Sequence, residues 1–108
     1  MLDLNPRYLA MLHELIVRCL PPAVAVWAYG SRVNGNAHDG SDLVLCTPDL
    51  AALPTRVLGR FRDALTDSNL PIFVDAHNWA TLPASFYPRI LARYEVLRPG
   101  VALAAQPA

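Results

Sequence analysis

Apolar residues recur at two spacings along the chain, and the change of spacing marks the elements. After Asn5-Pro6, an N-cap with proline at the first helical position, Leu9, Leu12, Leu15, Ile16 and Cys19 keep a helical interval until Pro21-Pro22 stops it. A first helix is therefore predicted over about residues 6–20. Residues 24–29, Val-Ala-Val-Trp-Ala-Tyr, form a short apolar run rich in β-formers and read as a buried strand that Gly30-Ser31 ends. Residues 30–41 are poor in core-forming side chains and read as a loop, with room for one helical turn after Ser31. A second strand follows at 41–46 and is closed by Thr47-Pro48-Asp49. A second helix is expected over about 54–67, with Val57, Leu58, Phe61 and Leu65 on one face, and then a third strand at 71–76. Phe86, Ile90, Leu91 and Tyr94 give a last helical stripe, which Pro88 either starts or kinks. Residues 95–97 suggest a short extended piece. The order α-β-β-α-β-α predicts an α/β domain of the α+β type: a small mixed β-sheet with helices packed on one face. A single domain is expected over 1–98, followed by a flexible tail at 99–108.

The chain has 108 residues, 54% of them hydrophobic and 17% charged, which is enough for one core and excludes a disordered chain. Nine basic residues, all arginine, balance nine acidic ones. The neutral balance argues against direct nucleic-acid binding. The absence of lysine rules out Schiff-base and P-loop chemistry. No run approaches a membrane span, and no basic leader opens the sequence, so a cytoplasmic protein is expected. Cys19 and Cys46 are too few and too far apart for a disulfide framework or a zinc knuckle and are read as reduced core residues.

The stretch that carries chemistry is Tyr29-Gly30-Ser31-Arg32, Gly35 and Ser41-Asp42. A Gly-Ser directly after a buried strand lets the backbone approach an anion, and the N–H groups of a following helical turn would point at it. Arg32 adds a planar donor fork suited to phosphate oxygens. Asp42 at one strand and Asp75 on the next could hold Mg²⁺ against a nucleotide's phosphates. On residue types alone, the same glycines and Asp42 also read as turn punctuation and a strand-end cap.

The string Gly30-Ser31-Arg32, Gly35, Ser41-Asp42-Leu43, with Val74-Asp75 on a later strand, resembles the signature of the minimal nucleotidyltransferases of the DNA polymerase beta-like superfamily. The resemblance runs from Trp27 to about Tyr94. It implies a nucleotidyltransferase-like fold in which Gly30, Ser31 and Arg32 bind the triphosphate of ATP. Asp42 and Asp75 would be the catalytic and metal-binding carboxylates for Mg²⁺. It also implies an antitoxin that forms a hetero-oligomer with a HEPN-family RNase toxin and can transfer AMP from ATP to a toxin tyrosine. The family pattern has a second Asp two positions after the first, where this chain has Val44. Either Val44 replaces it in place, or two residues have been lost, a change that preserves strand parity. On both accounts one metal-bridging carboxylate is missing, and the alternative is a catalytically impaired protein that acts by binding alone. Asp39 is a conceivable substitute ligand. Transfer to a small molecule is disfavoured because the chain has no room for a further substrate domain.

Other polar residues read more blandly. His38 is expected on an exposed loop and His13 on the solvent edge of the first helix. His77, two residues beyond Asp75 and on its face if the strand continues, could hydrogen-bond near the site but is read first as a strand-end polar residue. None has metal-ligand spacing with another His or Cys. Arg56 with Arg60, and Arg89 with Arg93, fall four residues apart and form solvated stripes or a docking surface that includes Tyr87. Trp27 is assigned to the core and Tyr29 to a pocket wall.

Overall fold

The computed structural model describes residues 2, 4–35, 42–48 and 53–99. Helix α1 (Pro6–Cys19) begins where Asn5 caps it, its side-chain oxygen accepting from the Arg7 N–H at 2.9 Å, with proline in the first turn. Strand β1 (Val26–Tyr29) leads into a four-residue helical turn, α2 (Ser31–Asn34). Strand β2 (Leu43–Thr47), helix α3 (Thr55–Asp67) and strand β3 (Val74–Asn78) form a β-α-β unit. Two 3₁₀ turns, Trp79–Thr81 and Ala84–Phe86, precede helix α4 (Tyr87–Ala92), and β4 (Glu95–Arg98) completes the sheet. Pro88 lies in the first turn of α4, so the helix starts there and is not kinked.

The sheet is mixed, in the order β3-β2-β1-β4. Strand β2 runs antiparallel to β1 and parallel to β3, the parallel pair being joined through α3, while β4 closes the far edge antiparallel to β1. Alternation along the strands separates two faces. Val26 and Ala28, Leu43 and Leu45, Val74 and Ala76 face the long helices and pack with Leu12, Leu15, Ile16, Leu58, Phe61 and Leu65. This is the main core, and the two amphipathic helices exist to cover it. Arg62 ties α3 to the sheet by donating from Nε and Nη2 to the Ala76 carbonyl at 2.9 and 2.6 Å.

The opposite face carries a second, aromatic cluster. Trp27 stacks on Tyr94 at 4.0 Å between centroids and meets Trp79 edge-on at 6.2 Å, and Trp79 stacks on Tyr87 at 4.1 Å. Ile90 and Cys46 fill the rest of this cluster, so α4 and the 3₁₀ turns cover one end of the face. The remainder, toward Tyr29, Val44 and Asp75, is less covered.

Strand β3 begins three residues later than the sequence pattern suggests and runs through Asn78. Phe73 is 60% exposed, and pairing starts where its carbonyl accepts from the Leu43 N–H at 2.9 Å. Buried Asn78 fixes the strand's end: its Oδ1 accepts from Thr47 Oγ1 at 2.9 Å and from the Leu53 N–H at 3.1 Å. The expected flexible tail lies outside the described residues apart from Pro99, as do His38, Asp39 and Ser41.

Candidate functional site

The less covered face is built as two rows across three strands. Tyr29, Val44 and Asp75 are consecutive partners in register on β1, β2 and β3. Behind them Trp27, Cys46 and His77 form the second row. Neighbours within a row have Cβ atoms about 5 Å apart, so groups at positions 29, 44 and 75 belong to one site. Asp42 is exposed one residue ahead of β2, and strand alternation assigns it to the same face as Val44.

At the end of β1 the chain turns sharply. Gly30 holds φ 93° and ψ −160°, a combination essentially restricted to glycine, and Gly35 closes α2 at φ 87° in the left-handed region. A Cβ at Gly30 would stand 3.6 Å from Val44 Cγ2, so this turn lies directly over the centre of the row. The first bond of the turn runs from the Val33 N–H to the Gly30 carbonyl at 3.0 Å, which leaves the N–H groups of Ser31 and Arg32 outside the intrahelical ladder.

Beside the turn is a cleft of about 260 Å³ lined by Tyr29, Gly30, Phe86, Arg89, Ile90 and Arg93. Its walls are aromatic and aliphatic, and two guanidinium groups four residues apart on and just after α4 stand at it. Tyr29 is the pocket wall that the sequence suggests. Burial, and after it the nearby Cys46 thiol and Asp75 carboxylate, push its phenol up to about 12, so it faces the cleft uncharged at neutral pH. The Cys46 thiol is likewise pushed up to about 12 by burial and is an inert core group.

Asp75 is not alone. His77, two residues along the same face of β3, places Nε2 2.8 Å from Asp75 Oδ2, both side chains being partly exposed. A carboxylate only accepts, so Nε2 carries the proton of this bond. The i+2 spacing from Asp75 puts His77 on the same face if the strand continues, though residue type alone ranks a strand-end polar group first; β3 running through Asn78 reverses that order.

The other candidate residues fall elsewhere. Arg32 is only 8% exposed and lines a different hollow with Leu4, Asn5, Tyr8, Pro71 and Ile72, at the start of α1 and the approach to β3. Its side chain is thus directed at the packing around α1 and not at the cleft beside Gly30. Arg56 and Arg60 are exposed on α3, and His13 is exposed on α1, as expected.

Whether these residues suit a carboxylate-bridged pair of Mg²⁺ ions follows from the donors. Among the described residues no three His, Cys, Asp or Glu side chains are grouped to hold a metal. The middle of the row is an isopropyl group, and the carboxylate beside it is already engaged by an imidazole. A bridged metal pair needs carboxylates shared between both ions, and this arrangement does not fit one.

A four-stranded mixed sheet with a Gly-Ser turn over its exposed face is the framework of the nucleotidyltransferase-like proteins. The chain is 36% identical over 97 residues, 90% of its own length and 84% of the relative's, to a protein of Haemophilus influenzae called "Probable protein adenylyltransferase MntA". It belongs to that family, the MntA-type minimal nucleotidyltransferases. No family profile matches the chain. Among solved structures it is similar to a toxin–antitoxin crystallised with AMP-PNP, at TM-score 0.68 and 16% identity over 88% of this chain and 74% of that one. A mutant MntA–HpeT toxin–antitoxin complex gives TM-score 0.69 at 17% identity over 89% and 74%. A complex of tri-AMPylated Shewanella oneidensis HEPN toxin with MNT antitoxin gives 0.54 at 15% over 84% and 72%. Among the described residues no helix is long and apolar enough to cross a membrane.

Proposed function

We propose that this chain is the antitoxin of a toxin–antitoxin pair, which binds a HEPN-type RNase toxin in a cytoplasmic hetero-oligomer and neutralises it. The observation that carries the reading is the relative at 36% identity across 90% of the chain. The similar folds of antitoxins seen with toxin partners support it. A nucleotide such as ATP is held at the Gly30-Ser31 turn and the adjoining cleft, where backbone N–H groups, an aromatic wall and guanidinium groups meet.

In the enzymatic form of this reading, AMP passes to the toxin. A tyrosine oxygen of the partner attacks the α-phosphorus of ATP, the new O–P bond replaces the bond to the β-phosphate oxygen, and pyrophosphate leaves. Asp42 and Asp75 are the candidate carboxylates for Mg²⁺ and for the phenolic proton. A second form, neutralisation by binding alone, is favoured by one specific observation: Val44 stands in register between Tyr29 and Asp75, where the family pattern has a carboxylate.

Co-expression with a HEPN-type RNase toxin from the same genome tests the common reading. A stable complex with a silenced RNase is the expected result. Intact-mass measurement of the toxin then separates the forms, since transfer adds the mass of an adenylyl group, AMP less one water. Failure to form any complex would refute both.

A further inference from the structure

The exposed sheet face has an isopropyl group at position 44, where a bridging carboxylate of a metal pair is needed, and keeps the features that hold a nucleotide. From this we infer that the chain binds a nucleoside triphosphate without a divalent cation and retains it intact, as a resident ligand of the antitoxin. The inference rests on the nucleotide-binding part of the proposed function and deepens it.

Three observations carry it. First, an apolar residue, Val44, holds the position opposite Asp75, whichever way the carboxylate was lost. The β2–β3 ladder runs unbroken from Leu43 opposite Val74 to Thr47 opposite Asn78, so position 44 is the one that faces Asp75. Its side chain is also what Gly30 packs over, 3.6 Å from where a Cβ would be. An apolar group thus fills the point between turn and carboxylate where a bridging ligand is needed. It supplies no electron pair and makes a dehydrated cation there costly. Second, Asp75 is held by His77 at 2.8 Å on its own strand, which gives its carboxylate an internal partner without a metal. Third, the cleft offers its own counter-charges. Arg89 and Arg93 stand with Phe86 and Tyr29 around a space that continues to the Gly30 turn. Guanidinium groups neutralise phosphate oxygens directly and stack on aromatic rings, which are the two demands of a nucleotide. The consequence is retention: without bridged ions the α-phosphorus is not activated toward an acceptor.

The test is titration of the full chain with AMP-PNP in excess EDTA and again in Mg²⁺, with Mn²⁺ binding followed separately by electron paramagnetic resonance. The wild type is expected to bind AMP-PNP with affinities that agree within about threefold in the two conditions and to give no bound-Mn²⁺ signal. Val44→Asp is expected to acquire bound Mn²⁺ and a nucleotide affinity at least about tenfold higher with Mg²⁺ than with EDTA, the scale on which ligand-shell changes act. Arg89→Gln should weaken AMP-PNP about tenfold in EDTA, as loss of a charged contact to phosphate does. Val44→Asn, polar but uncharged, controls for folding of the Asp variant, and the wild-type titrations decide the matter even if Val44→Asp does not fold. A wild type that needs Mg²⁺ for tight binding, with that dependence lost in Asp75→Asn or Asp39→Asn, would overturn the inference. So would absence of AMP-PNP binding in both conditions. Neither result touches the antitoxin reading, which stands or falls with complex formation and RNase silencing.

Discussion

Replacing Gly30 by alanine isolates backbone strain from crowding. The substituted Cβ would meet only Val44 Cγ2 at 3.6 Å and its Cβ at 3.9 Å, which are ordinary contacts, so no clash contributes. What remains is the conformation, φ 93° and ψ −160°, which a residue with a Cβ occupies at a cost of about 1–3 kcal/mol. For a domain of this size that corresponds to a Tm lower by roughly 5–15 °C. If the turn relaxes instead, the N–H groups of Ser31 and Arg32 re-aim and AMP-PNP affinity falls while Tm changes little. Gly59 supplies the matched control. It lies inside α3 with nothing within 4 Å of its substituted Cβ, so Gly59→Ala should stabilise by about 0.5–1 kcal/mol. Thermal melts of both variants, paired with AMP-PNP titrations, check the reasoning. A Gly30→Ala protein with unchanged Tm and unchanged nucleotide affinity would show that the turn is not held at positive φ.

Phe61→Ala removes one of the largest fully buried side chains beneath α3 and should cost about 3–5 kcal/mol in guanidinium titration. Asn78→Ala leaves Thr47 Oγ1 and the Leu53 N–H without their acceptor, for a loss of about 1–3 kcal/mol by the same assay. The phenol of Tyr29 and the thiol of Cys46 titrate higher in the folded protein than their ordinary values of 10.0 and 9.0. The folded state therefore keeps protons that the unfolded chain releases, and stability is full below about pH 9 and declines as pH rises toward 12. Cys46→Ala should flatten that decline in pH-dependent melts, and Cys46 should resist a thiol reagent at pH 8 that labels partly buried Cys19.

The helices and the first two strands are legible in the sequence because each has an uninterrupted period and a chemical stop. Asn5-Pro6 and Pro21-Pro22 bound α1, and Gly30 ends β1. The third strand was harder to place because Pro71-Ile72-Phe73 looks more strand-like than Asp75-Ala76-His77-Asn78. Pairing with β2 decides the matter, and pairing is a long-range fact. The same shift is why His77, which lies on the Asp75 face if the strand continues, ranks below a strand-end reading in the sequence. Gly30, Ser31, Asp42 and Asp75 stand out as site candidates through the resemblance of their spacing to the minimal nucleotidyltransferase signature, whereas the burial of Arg32 against the start of α1 depends on how the chain returns across the domain. The aromatic cluster of Trp27, Trp79, Tyr87 and Tyr94 joins residues from both ends of the chain and has no local signature.

Strand β4 pairs with β1 through Val26 opposite Arg98 and Ala28 opposite Glu95, and it brings Tyr94 onto Trp27. Arg98 adds hydrogen bonds to the carbonyls of Val24 and Pro21. The first strand to emerge from the ribosome thus waits for the last, with β2 and β3 already formed beside it. Until Arg98 has cleared the exit tunnel, β1 is an open edge and the floor under the cleft is incomplete. A chain cut short before residue 94 would lack both β4 and the ring stacked on Trp27, so a complete sheet and cleft floor require translation through Arg98.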